Sequence, residues 1–147
     1  MNPARNARDE TEASELEIKS ILLLDDHKEL TDLLKRLLES RNYVVTTVSN
    51  GVEGLREVMA LDVDIIMCDM MMPAMPGDMF YLAVERTKPY LLDRFIFITG
   101  HMDNPRVSNF LHNVNAVVLQ KPVNTEELIA TISYVLKKSA GKTAAQE

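Results

Sequence analysis

Two apolar rhythms take turns along this chain. "SILLL" (20–24) is a short unbroken apolar run, as expected of a strand buried on both faces. Leu30, Leu33, Leu34, Leu37 and Leu38 then fall at the spacing of one helix face over 28–40. "YVVTTV" (43–48) returns to β-branched residues, and its threonines suit a less buried strand. "SNG" marks a turn before a helix carrying Val52, Leu55, Val58 and Met59. "DIIMC" (64–68) is a third strand, and "PAMPG" leads into a helix over about 77–88. "FIFI" (95–98) is the fourth strand. Asn104 then caps a helix that starts at Pro105 and carries Val107, Phe110, Leu111 and Val114. "AVVL" (116–119) is the fifth strand. Asn124 with Glu127 three residues on resembles a capping box, before Leu128, Ile129, Ile132, Val135 and Leu136 at helical spacing.

The pattern is strand then helix, repeated through one domain over 19–138. Strands apolar on both faces and separated by crossover helices predict a parallel sheet covered on each side. Right-handed crossovers leave few arrangements. The expected one is a flavodoxin-like three-layer α/β/α sandwich in strand order 2-1-3-4-5, because the second strand is the most polar and suits an edge. Residues 1–18 are polar and mixed in charge, and read as a flexible leader or linker; residues 139–147 read as an unanchored tail.

Composition narrows the function without naming it. A net charge of -6 and no basic stripe argue against a nucleic-acid surface. The single Cys68 excludes an internal disulfide framework and a multi-thiol zinc site. No apolar run approaches the ~20 residues that span a bilayer, and no secretion signal opens the chain, so a cytoplasmic setting is the default.

Candidate chemistry gathers at the strand ends. In sheets of this order the working groups lie beyond the C-terminal ends of the strands, where strand order reverses. The first strand ends at Asp25 and Asp26 and the third at Asp69, so three carboxylates are expected in one cleft. The fourth delivers Thr99 and the fifth Lys121, followed by Pro122. The run "DDHKE" offers the paired carboxylates no obvious basic partner. Clustered carboxylates repel unless a cation sits among them, and hard oxygen donors suit Mg2+. Taken singly the residues say less: either Asp at 25 or 26 could merely cap a helix, and Thr99-Gly100 is ordinary turn chemistry. The methionines at 70, 71, 72, 75 and 79 read as gap fillers or a docking surface, with Cys68 buried behind Asp69.

"LLLDDH", "DMMMPAMPG", "ITGH" and "LQKP", in this order, resemble the receiver domain of two-component response regulators. The run over 104–128 is closer to receivers of hybrid sensor kinases. The resemblance implies that Asp69 accepts a phosphoryl group from a sensor histidine kinase or a histidine phosphotransfer protein. It implies Mg2+ on Asp25 (largely through water), Asp26, Asp69 and the Met71 backbone carbonyl. Thr99 and Lys121 would bind phosphoryl oxygens, and Lys121-Pro122 would be cis. Output would be a change of shape on the face of the fourth helix, fifth strand and fifth helix, where a homodimer could also form. Any enzymatic activity would be limited to self-directed phosphotransfer and slow autodephosphorylation.

Two features depart from the common pattern. Val118 stands where many receivers carry a switching aromatic ring, so rotamer switching there is not expected. Met71 and His101 occupy the positions that flank the attacking water, and a thioether at 71 cannot orient water well. The competing class is a phosphorylation-independent interaction module with the same fold. An aspartyl-phosphate hydrolase would want a second Asp where Met71 stands, and "DDHKE" would repel a flavin phosphate.

Overall fold

The computed structural model describes the backbone of residues 17–146 and the side chains of 17–141. The expected leader, 1–18, lies outside the described residues except for its last two positions. The strands are β1 (Ser20–Leu24), β2 (Val44–Val48), β3 (Ile65–Asp69), β4 (Phe95–Thr99) and β5 (Val118–Gln120). The α-helices are α1 (Lys28–Glu39), α2 (Gly51–Ala60), α3 (Gly77–Thr87), α4 (Pro105–Asn113) and α5 (Thr125–Gln146). All strand pairs are parallel, in order β2-β1-β3-β4-β5. The most polar strand, β2, is an edge, as its threonines predict.

Side-chain alternation along each strand divides the core into two layers. Leu22, Leu24, Ile66, Cys68, Phe95 and Phe97 face one layer with Val58 of α2, Phe80 and Val84 of α3, and Val107 and Leu111 of α4. Ile21, Leu23, Ile65, Met67, Ile96, Ile98 and Leu119 face the other, with Leu34 and Leu38 of α1 and Leu128, Ile132 and Val135 of α5. The first layer is sealed by aromatic rings. Tyr81 meets Phe95 and Phe110 edge-on, and Phe97 lies 5.8 Å from Phe110, edge-on as well.

Local chemistry sets the helix ends. Asn50, Asn104 and Asn124 each accept a backbone N–H from the first turn that follows. Asn42 and Asn115 take left-handed φ of 70° and 52° after α1 and α4. In both, the next amide reaches back six residues inclusive, Tyr43 N to Leu38 O and Ala116 N to Leu111 O. Asn tolerates this conformation better than other residues with a Cβ.

The structure differs from the sequence-based expectation in three places. A 3-10 segment, Pro89–Arg94, precedes β4 and buries Leu91, in a stretch to which the sequence pattern assigned no element. β5 begins at Val118 rather than 116, because Ala116 is committed to the exit of α4. α5 continues to Gln146 through a stretch read as a tail from 139. Alanine and lysine in that stretch favour helix, and Ser139 Oγ donates to Asp93 O at 3.3 Å, tying α5 to the 3-10 segment.

Candidate functional site

Three parallel strands deliver acidic groups and a lysine to one end of the sheet. β1 and β3 are in register, with Leu24 opposite Cys68, so Asp25 and Asp69 leave neighbouring strands at the same level. Asp25, Asp26, His27 and Asp69 each present a donor atom, and all these atoms lie within 4.8 Å of one another. Asp25 and Asp69 are buried, while Asp26 and His27 are exposed.

Lys121 reaches this group from β5. Its Nζ lies 3.0 Å from Asp25 Oδ2 and 3.5 Å from Asp69 Oδ2. The peptide between Lys121 and Pro122 is cis. At 3.5 Å the ammonium offsets charge without a well-directed bond, so Asp69 Oδ2 is buried with no hydrogen-bond partner. Asp69 Oδ1 accepts a long bond from the Met71 amide, 3.4 Å.

Burial raises the Asp69 pKa above the ordinary carboxylate value, and Asp25 raises it further; Lys121 and the Met71 amide pull the other way without prevailing. Cys68, next along β3, is fully buried, and burial followed by the Asp69 charge pushes its thiol well up. Its Sγ donates to Asp69 O at 3.2 Å.

The remaining expected residues surround this centre. Thr99 is fully buried at the end of β4, and its Oγ1 accepts from the His101 amide at 3.0 Å. The Lys121 amide donates to Thr99 O at 2.8 Å, the last rung between β4 and β5. Met71 and His101 are exposed at the rim. Val118 is half-buried, pairs with Phe97 and packs against the aromatic layer.

Sequence reasoning passed over two features. The Asp25-Asp26 pair does have a local partner: His27 Nδ1 is 2.8 Å from Asp25 Oδ1, and the His27 amide donates to the same oxygen at 2.9 Å. Gly77 opens α3 against the backbone of Asp69. A Cβ there would come within 2.4 Å of Asp69 O, so only glycine permits the approach. The glycine in "PAMPG" signalled a turn, but not this closeness.

The donor set fits a hard divalent cation. Carboxylate oxygens predominate, one of them is buried without a hydrogen bond, and the acidic groups outnumber the single ammonium that meets them. Among the described residues no helix is long and apolar enough to cross a membrane.

Comparison with known proteins agrees with this architecture. Residues 21–133 match the response regulator receiver domain family. Sensor kinase CckA of Brucella abortus is 30% identical over 121 residues, covering 81% of this chain and 13% of that protein. Transcriptional regulatory protein GlrR of Escherichia coli is 31% identical over 123 residues, covering 84% of this chain and 27% of that protein. The chain thus spans a small part of the length of these relatives. Among solved structures, a CheY-like receiver domain protein from Methanospirillum hungatei superposes with a TM-score of 0.78 at 26% identity, covering 86% of this chain and 99% of that one. Chemotaxis response regulator CheY4 of Vibrio cholerae gives 0.73 at 28%, covering 82% and 100%. The chain belongs to the response regulator receiver domain family of two-component signalling.

Proposed function

We propose that Asp69 is a phosphoryl acceptor served by the phosphohistidine of a sensor histidine kinase or a histidine phosphotransfer protein. The single observation that carries this reading is Asp69 Oδ2, a buried carboxylate oxygen without a hydrogen bond beside the Lys121 ammonium. A carboxylate oxygen attacks phosphorus, the P–N bond to imidazole breaks, and its electron pair leaves on the ring nitrogen, which takes up a proton. Asp26, Asp69, the Met71 carbonyl and, through water, Asp25 would hold Mg2+, which when bound neutralises charge between carboxylate and phosphoryl group. Lys121 offers its ammonium to one phosphoryl oxygen, and Thr99, whose oxygen accepts from the His101 amide, can still donate its hydroxyl proton to another. A cytoplasmic setting suits this chemistry.

Phosphorylation would be read out on α4, β5 and α5. Arg106 of α4 bridges to Asp78 of α3 at 3.0 Å, and Phe110 packs on Phe97, one strand position short of the residue before Thr99. Movement of Thr99 is thereby coupled to the seat of α4, which supports a population shift on that face. The same face could pair two copies of the chain.

Intact-mass analysis after exposure to a small phosphodonor with Mg2+ tests the proposal, beside Asp69→Ala. One added phosphoryl group, absent from the variant, is expected. An unlabelled wild type would favour a phosphorylation-independent interaction module instead.

A further inference from the structure

We propose that the His27 imidazole is a metal ligand of this cleft, tuning it toward a first-row transition-metal ion over Mg2+. The inference rests on the reading that the cleft binds a divalent cation, and adds a ligand that reading does not contain. Its basis is distance. Two neighbouring donors on an octahedral ion with bonds of about 2.1 Å lie about 3.0 Å apart. His27 Nδ1 is 3.4 Å from Asp26 Oδ1, a direct ligand of the proposed site and close to that edge; its 2.8 Å contact with Asp25 Oδ1 is a hydrogen bond that holds the ring over the cleft.

The ring has no competing task in the helix. His27 occupies the N-cap position of α1 in extended conformation, yet its side chain makes no capping hydrogen bond. The imidazole turns toward the carboxylates. Asp69 Oδ2, buried and without a hydrogen bond, belongs to the residue that completes the same cluster. Lys121 Nζ, 3.5 Å from Nδ1, opposes a cation there, so that contact must open when one binds.

Ligand chemistry sets the preference. Mg2+ selects oxygen donors and dehydrates reluctantly, whereas imidazole suits later first-row ions. Loss of the ring should therefore weaken such an ion much more than Mg2+.

Metal-free protein titrated calorimetrically with Co2+ and with Mg2+ tests this, for wild type, His27→Asn and Asp69→Asn. Asn is a good N-cap, so the first variant keeps α1; equal far-ultraviolet circular dichroism checks this. The ratio of Co2+ to Mg2+ affinity should fall about tenfold or more in His27→Asn, since even groups one step removed from a metal shift affinity that much. The visible Co2+ spectrum should also change as a nitrogen donor is lost. An unchanged ratio and spectrum in His27→Asn would overturn the proposal while leaving Mg2+ binding intact. Co2+ binding that needs both His27 and Asp69, without measurable Mg2+ binding, would support it and defeat the Mg2+ reading.

Discussion

Replacing Asp69 with Asn should make the metal-free protein more stable, although it removes the proposed acceptor. Asp25 and Asp69 present oxygens within 4.8 Å, a repulsion of roughly 3.5 kcal/mol at an effective dielectric of ~20. Lys121, 3.5 Å from Asp69 Oδ2, returns roughly 4.7 kcal/mol on that scale. The two nearly cancel. Desolvation of a buried carboxylate and the more weakly felt Asp26 then tip the balance against the ionised form, by about 1–2 kcal/mol after solvent screening. That corresponds to about 3–6 °C in melting temperature for a chain of this size. The assay is thermal unfolding with a chelator and with Mg2+. Asp69→Asn should melt above wild type in chelator, and Mg2+ should raise wild type more, closing the gap. The direction with pH follows from the raised Asp69 pKa. A group held more tightly protonated in the folded state contributes its stability below the unfolded carboxylate value, roughly pH 4, and loses it as pH rises through the folded value. The gap should thus vanish on acidification below about pH 4. A variant that melts below wild type in chelator, or an equal Mg2+ shift in both proteins, would refute the reasoning.

Met71→Asn should shorten the phosphorylated lifetime, since an amide can orient water where the thioether cannot; loss of label followed by intact mass checks this. Gly77→Ala should cost roughly 1–3 kcal/mol and slow phosphorylation, because its Cβ would press on Asp69 O; denaturant melts beside labelling rates test both effects. Cys68 should resist thiol reagents until the protein unfolds, its thiol kept protonated by burial and by Asp69, so reaction with a chromogenic disulfide should track unfolding.

The meeting of Asp25 and Asp69 was legible because the buried apolar runs of β1 and β3 locate their own ends, and Lys121 because it closes the last apolar run before the final helix. The edge position of β2 was legible from its threonines. The 3-10 segment was not, since only Leu91 of "PYLLDR" is buried and one apolar contact has no period. The start of β5 was misplaced because "AVVL" is uniformly apolar, while the backbone bond from Ala116 to Leu111 that delays the strand belongs to the exit of α4. The stretch from 139 offers no apolar face to mark a helix, yet α5 runs through it to Gln146. The pairing of His27 with Asp25 was not legible because a polar residue after two aspartates looks like an ordinary helix start. The orientation of the ring depends on Asp25 in three dimensions.

β5 is a three-residue strand at the sheet margin, and its final backbone bond, Lys121 to Thr99, anchors the side chain that meets both buried carboxylates. Short margins fray more readily than central strands. Each fraying event would withdraw the ammonium while leaving the acidic residues in place, so the proposed phosphotransfer should slow as protection of this one peripheral amide falls. Deuterium uptake at that amide reports how often the ammonium is released, and it is readable without any phosphodonor.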